Sequence, residues 1–392
     1  VDAYDIDQAY HDQRHINLQH SIAILFLNFL LITRTMMLFK FFLFGLVLVG
    51  FTDHVHTCTE VQIMAPDGET LVIANSFEAG NTAAPLGVSI RRRGSVHGCK
   101  TGAGCKCMNF VAKHGFIGSG YGFAGGMSEV GMVINIHTLD LAVYQPPSPD
   151  GVNSTLCSSD FPSWVLGTMS SVADLREALP KLNLVGGGGL QWGVQDATGE
   201  SVVVEYVKGV LNLHNNSVGH DNSGIGVMTN DPTWDWHLQN LNNFAALQPG
   251  WYGNNNNAIR RRVPTESSYP WAKNAYDGNA PQVPTPMGHG YNLAGLPGDG
   301  SPSARFVRTF FLRGYAMLNS PPRDVDGTCI LAQELLNSVY KVLGSVAGRG
   351  AGDPLETTPI STMQVVSPTV RQVFYRSRAD MTWRMLDLTA IN

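Results

Sequence analysis

Cys58–Glu78 reads CTEVQIMAPDGETLVIANSFE, and the reading of the whole chain turns on it. Val61 to Ala65 has the composition of a strand, and Leu71 to Ala74 has that of its return. Between them, Pro66-Asp67-Gly68 forms a turn: proline presets φ and glycine accepts a positive φ. The hairpin puts Cys58 at the start of a strand, just after an apolar tract. A cysteine freed at a chain N-terminus carries its own base, an α-amino group with a reference pKa of about 7.7–8.0. That amine can activate the thiol directly or through water, with no separate histidine.

The segment upstream can be read in two ways. Residues 1–20 are polar and without apolar periodicity, and the chain opens on Val1. From Ser21 to Phe51 it is apolar, broken only at Asn28, Thr33, Arg34, Thr35 and Lys40. One reading is a membrane span, for which the tract is long enough. In the other, translation starts at Met36 or Met37, Lys40 is the charged region of a signal peptide, Phe41 to Val49 its apolar region, and Thr52 to Thr57 the approach to cleavage. The second reading ends the leader just before Cys58; attack by the thiol on the Thr57–Cys58 bond is a further route to the same end. The expected organisation is a polar extension plus a removed leader over 1–57, then one domain over 58–392. The mature product is expected to be secreted, periplasmic or lumenal, with a retained membrane anchor as the alternative.

Downstream, the 392 residues are 44% hydrophobic and 15% charged, enough for a large core. The net charge of -5 and the lack of a long basic run argue against a nucleic-acid partner. Arg91-Arg92-Arg93 and Arg260-Arg261-Arg262 read as solvated turns. A strand is expected over Leu86 to Ile90, and strand-like runs over Val111 to Gly122 and Met132 to His137. Helices are expected over Phe161 to Met169 and Val172 to Leu182, then strands over Leu190 to Asp196, Ser201 to Val207 and Val210 to Leu213. A helix over Trp234 to Leu247, a loop-rich insertion around 249–303 and helices over Arg305 to Leu318 and Thr328 to Leu343 follow. Met363 to Ser367, Gln372 to Arg376 and Thr382 to Asp387 close the chain as strands. This order predicts an α+β fold with helices outside antiparallel sheets.

Six cysteines include a cluster at Cys99, Cys105 and Cys107, whose spacing is wrong for a zinc site, so a disulfide or free thiols remain. Cys157 and Cys329 complete the set. Asn153-Ser154-Thr155 and Asn215-Asn216-Ser217 are glycosylation sequons if the source glycosylates.

Further segments, in order, carry a resemblance to a known family. Gly126-Met127-Ser128-Glu129-Val130-Gly131-Met132 is similar to a GMNEKGL segment, and Val227 to His237, VMTNDPTWDWH, to LTNSPTFDWH. Gly295 to Phe306, GLPGDGSPSARF, is similar to GLPGDxTPxSRF, and Leu336-Asn337-Ser338-Val339 to LNNV. With the hairpin, these resemble the choloylglycine hydrolase and penicillin V acylase family of N-terminal-nucleophile hydrolases. The resemblance implies a four-layer αββα sandwich. It implies Cys58 as nucleophile, Glu78 as acceptor for the new amine, Asn230 as a donor to the oxyanion and Arg305 as a fixed charge.

Two positions depart from the family pattern. Asn75 stands where an arginine is usual, and Thr138 where asparagine or tyrosine is usual. Both remain substrate or oxyanion candidates; loss of a cation beside a thiol should leave less thiolate at neutral pH. His237 reads as ordering the helix start, and Asn135 as structural.

The expected activity is hydrolysis of a linear amide through a thioester, on an N-acyl substrate of the conjugated bile acid, penicillin V or N-acyl lipid kind. No metal or organic cofactor is implied, a homo-oligomer is left open, and the membrane enters only through a retained leader. The alternative is a weakened or inactive homologue that binds an acyl ligand or a partner.

Overall fold

The structure, a computed structural model, describes residues 57–80, 88–98, 107–119, 125–187, 189–245, 247, 293, 295–347 and 355–389. All of these fall in one compact unit. Residues 1–56 of the expected leader, Cys99, Cys105, the Arg260–Arg262 triplet and most of the expected 249–303 insertion lie outside the described residues.

The hairpin forms as its residues dictate. β1 is Thr57–Met64 and β2 is Leu71–Gly80, in one unbroken antiparallel register that sets Cys58 opposite Phe77 and Glu60 opposite Asn75. At the turn, Gly68 has φ 71°, and Asp67 Oδ1 accepts the backbone N–H groups of Glu69 and Thr70 at 3.0 and 2.9 Å. Both strands run beyond the quoted apolar stretches, because β2 continues through Asn75-Ser76-Phe77-Glu78 to the Cys58 end.

Strands are numbered in chain order. β3 is Val88–Arg91, β4 Val96–Gly98, β5 Asn109–Val111, β6 Phe116–Ser119, β7 Gly125–Ser128 and β8 Val133–Thr138. β9 is Thr155–Cys157, β10 Asn183–Val185, β11 Leu190–Gln195, β12 Ser201–Val207, β13 Val210–Asn215 and β14 Val227–Met228. β15 is Glu356–Val366, β16 Arg371–Ser377 and β17 Asp380–Asp387. The helices are α1 Phe161–Thr168, α2 Val172–Ala178, α3 Trp234–Leu241, α4 Pro302–Asn319 and α5 Val325–Ser338.

Two sheets carry the architecture, in the orders β14-β1-β2-β15-β16-β17 and β13-β12-β11-β8-β7-β6-β3. Every pairing given within them is antiparallel. β1 faces β8 across the gap between the sheets. Helices α4 and α5 pack on β1 and β2, and α1 packs on β7 and β8. The layers are therefore helix, sheet, sheet, helix: the αββα sandwich.

Strand alternation explains the cores. Val61, Ile63, Val72 and Ala74 point to the helices and bury against Phe306, Trp234, Ala332, Leu335 and Leu336. Ile134, Trp192, Val194, Val202 and Val204 do the same beneath Phe161, Trp164 and Val165. Each such side chain contributes roughly 1.5–3 kcal/mol through burial.

Several boundaries differ from the sequence reading. The expected run over Val111 to Gly122 is two strands, β5 and β6, separated by a turn at 113–114. β15 begins seven residues before Met363, since its polar Glu356-Thr357-Thr358 lead is buried and Glu356 and Thr357 pair with β2. Pro359, which has no N–H, sits where that register shifts. α4 starts earlier than Arg305: Ser301 caps it, accepting the Ala304 N–H at 3.3 Å, and Pro302 occupies its first turn. α5 runs Val325–Ser338 with Asp324 as its cap, so Lys341 lies beyond the helix. A disulfide joins Cys107 to Cys157, fifty residues apart, while Cys99 and Cys105 lie outside the described residues.

Candidate active site

Cys58 opens β1 and is fully buried among Phe77, Ala79 and Ile360. Its backbone N–H donates to Asn230 Oδ1 at 2.6 Å. Asn230 follows β14, which pairs with β1 at Glu60 and Val61, and so it reaches Cys58 from the sheet edge. The Asn230 Nδ2 group donates to Thr138 Oγ1 at 2.8 Å, where β8 ends on the opposing sheet.

Arg305 ties these pieces together. It leaves the first turn of α4, is fully buried, and reaches four groups at once. Its Nη1 donates to the Cys58 carbonyl at 2.8 Å and to Thr59 Oγ1, and lies 3.1 Å from Glu78 Oε2. Its Nη2 donates to Asn230 Oδ1 at 2.8 Å. The planar fork of arginine suits this multiple grip, which a lysine could not reproduce. Gly300 holds the guanidinium from behind, its carbonyl accepting from Nε at 3.1 Å. Glu78, also fully buried, accepts from Ser76 Oγ through its other oxygen.

His237 supports the site without touching the thiol environment directly. A ring N–H on Nε2 donates to the Asn230 carbonyl at 2.8 Å, and the ring stacks on Phe306 with centroids 4.6 Å apart. Burial pushes its pKa down to about 4, helped by the Arg305 charge and opposed by the Asn230 hydrogen bond. The imidazole is therefore neutral at physiological pH and orders the Asn230 loop.

The Cys58 thiol is held well above its ordinary pKa. Burial is the main cause and the Glu78 charge adds to it; a backbone hydrogen bond from Glu78 and the charges of Arg305 and Lys341 pull the other way. The thiol is neutral in this arrangement.

Cys58, Glu78, Asn230, Arg305 and Thr138 thus converge. Asn75 stands differently. It shares the thiol's face of the sheet but pairs with Glu60, two positions further along the strand pair, so Cys58 is its diagonal neighbour. The sequence reading passed over what surrounds it. Glu60 is fully buried between the sheets, its carboxylate accepting from Gln62 Nε2 at 2.9 Å, Gln195 Nε2 at 2.7 Å and Asn135 Nδ2 at 2.9 Å. His137 Nε2 lies 4.0 Å from the same carboxylate. The signal was present as strict polar alternation at Glu60 and Gln62 inside a strand, which on its own looks like a solvated face. Gly193 makes room for it: a Cβ there would lie 2.7 Å from Glu60 Oε2.

The chain is similar to several known proteins. Residues 99–259 match the family of linear amide C–N hydrolases, the choloylglycine hydrolase family. The chain is 34% identical over 233 residues to the bile salt hydrolase/transferase of Clostridium perfringens, a match covering 57% of this chain and 60% of that protein. It is 30% identical over 229 residues to the bile salt hydrolase/transferase of Lactiplantibacillus plantarum, covering 56% and 58%. The chain thus spans about three-fifths of the length of these relatives. A solved structure of a mutant conjugated bile acid hydrolase from Clostridium perfringens superposes with a TM-score of 0.68 at 24% identity, covering 86% of this chain and 93% of that one. Penicillin V acylase from Agrobacterium tumefaciens gives 0.60 at 21%, covering 85% and 87%. The fold is the one these two enzymes share, and the resemblance drawn from the hairpin and the later segments holds.

Proposed function

We propose that this chain is a hydrolase of linear C–N amides whose nucleophile is the Cys58 thiol, acting on a small N-acyl substrate of the kind named for its relatives. The observation that carries the proposal is the grip of Arg305 on the Cys58 carbonyl, Glu78 and Asn230 together. Such a buried, fully enlisted cation is costly to install for stability alone.

The chemistry follows from the contacts. Removal of Thr57 would turn the Cys58 N–H into an amine in the same position, with Asn230 Oδ1 as its acceptor at 2.6 Å. The amine takes the thiol proton, the sulfur attacks the acyl carbon, and the amine half of the substrate departs carrying that proton. Water then cleaves the thioester, releasing the acid and restoring the thiol. Asn230 and Thr138, hydrogen-bonded to each other at 2.8 Å, are the candidate donors to the oxyanion, a contribution often worth a few kcal/mol.

Export fits the same reading. The Cys107–Cys157 disulfide suits an oxidising compartment, and a leader ending before Cys58 would deliver the free amine there.

The test is Cys58→Ser, assayed for release of glycine or taurine from conjugated bile acids and of phenoxyacetate from penicillin V, alongside N-terminal sequencing. Turnover by the parent with a chain beginning at Cys58, and a loss of at least about a hundredfold in the variant, is the expected result. Unchanged amidase activity in the variant would sink the mechanism. Asn75 in place of a cation favours a second reading, an acyl-ligand binder with little turnover. Tight binding of the same amides by a parent that does not cleave them would select it.

A further inference from the structure

The stretch that carries Asn230 is anchored at both ends. Before it, the Thr229 carbonyl accepts from Gln191 Nε2 at 3.1 Å; after it, Asp231 Oδ1 accepts the Asp140 N–H at 2.6 Å. Its far end is the start of α3, where the Trp234 N–H donates to Glu205 Oε1 at 2.7 Å. Thr233, the residue before α3, makes no side-chain cap, so Glu205 takes one of the helix's free amide donors instead.

Glu205 is itself held by a ring. It lies buried on β12, and its other oxygen, Oε2, is 3.2 Å from Nε2 of His214 on β13. The second ring nitrogen, Nδ1, lies 3.5 Å from Oδ1 of Asp235 in the first turn of α3. A neutral imidazole has one N–H and one lone pair, so it can donate to only one of two carboxylates and turns a lone pair on the other. An imidazolium has two N–H groups and serves both. Burial pulls the His214 pKa down, but the hydrogen bond and charge of Glu205 and the charge of Asp235 outweigh it and leave the pKa above the ordinary 6.5. Glu205 from β12 and Asp235 from α3 are the charged groups facing the ring; His237, also on α3, is turned to the Asn230 carbonyl.

We propose that His214 is a positioning residue for Asn230: as an imidazolium it ties Glu205 on the sheet to Asp235 on α3, and so fixes the helix start that follows Asn230. The proposal rests on Asn230 belonging to the active site. Below the His214 pKa the bridge is closed. As pH rises through it, the ring keeps its bond to buried Glu205, and exposed Asp235 is left facing a lone pair. The start of α3 is then held at Trp234 alone, and its His237 draws on the Asn230 carbonyl. Asn230 Oδ1 accepts from both the Cys58 N–H and Arg305 Nη2, so a looser Asn230 loosens the surroundings of the thiol.

The experiment follows hydrogen–deuterium exchange of residues 229–241 in the full chain at about pH 5.5 and about pH 9, either side of a raised histidine pKa, corrected for intrinsic exchange. The α1 peptide serves as reference, and kcat/KM for amide hydrolysis is measured over the same range. The parent is compared with Asp235→Asn and His214→Phe. Between the two pH values the parent should lose about tenfold in protection over 229–241, with α1 unmoved. In Asp235→Asn the new amide can donate to the Nδ1 lone pair, so the neutral ring completes the bridge; protection and turnover should persist at the higher pH. His214→Phe should be poorly protected at both. A merely structural histidine would not separate Asp235→Asn from the parent by pH. Equal corrected protection of the parent at both pH values overturns the proposal, and so does a turnover profile identical in the parent and Asp235→Asn. Protection that shifts as expected, with no amide turnover by any of the three proteins at any pH, upholds the anchorage of the loop and overturns the hydrolase reading.

Discussion

On the helix side of β1 and β2, Val61, Ile63, Val72 and Ala74 meet Phe306, Leu335 and Leu336 in an ordinary apolar core. On the side facing the second sheet, the same strands present Glu60, Gln62 and Asn75 to Asn135, His137 and Gln195. Further toward the hairpin turn that inter-sheet layer becomes apolar again, with Ile73, Leu71, Met127 and Val133. One pair of strands therefore carries two kinds of interior. The apolar side stabilises by area removed from water and tolerates substitutions of similar volume. The polar patch depends on every partner being present. Asn75 Oδ1 and both ring nitrogens of His137 have no hydrogen-bond partner among the described residues. A buried polar group deprived of its partner costs about 1–3 kcal/mol, so substitutions in the patch act through its hydrogen bonds rather than through volume.

Three changes would break or sharpen that contrast. Phe306→Ala strikes the helix side where it also carries His237, and should destabilise by about 3–5 kcal/mol in denaturant unfolding. A loss under about 1 kcal/mol would mean that the helix side is not the stabilising one. Next comes acid. With a folded pKa of about 4 against 6.5 for the unfolded chain, the His237 site binds more protons when unfolded across that window. Its contribution is present above pH 6.5 and is lost as pH falls toward 4, roughly 3 kcal/mol in all at 1.36 kcal/mol per unit. His237→Phe should flatten the acid limb of a plot of stability against pH; the same slope in the variant would move the acid sensitivity elsewhere. The smallest effect is expected on the polar side. Glu60→Gln keeps the shape but turns one acceptor into a donor facing amide N–H groups, at a cost of about 1–3 kcal/mol by urea titration. A more stable variant would show that the buried carboxylate is kept at a net cost to stability.

The hairpin, the helix side and the candidate nucleophile were legible because each depends on local chemistry. Pro66-Asp67-Gly68 sets a turn, alternation sets a face, and a cysteine at a strand start after an apolar tract has one distinctive use. The polar patch was not legible. Glu60 and Gln62 alternate like residues on a solvated face, and only the second sheet, with Gly193 leaving space for a carboxylate, makes them interior. Lys341 was hidden for the same reason: a lysine expected within a helix over Thr328 to Leu343 gives no hint of Glu356 fifteen residues on. Asn135 was expected to be structural, and it is held on Glu60.

By itself the sequence determined the order of elements, the antiparallel α+β class, the turn at Gly68 and the residue types at Cys58, Glu78, Asn230 and Arg305, because propensity, periodicity and turn chemistry act over a few neighbouring residues. Tertiary structure alone decided that Arg305 reaches back 247 positions to the Cys58 carbonyl, and that Glu60 is buried rather than wet. Those outcomes depend on which surfaces meet when two sheets and two helix layers close, and no local stretch of chain contains that information.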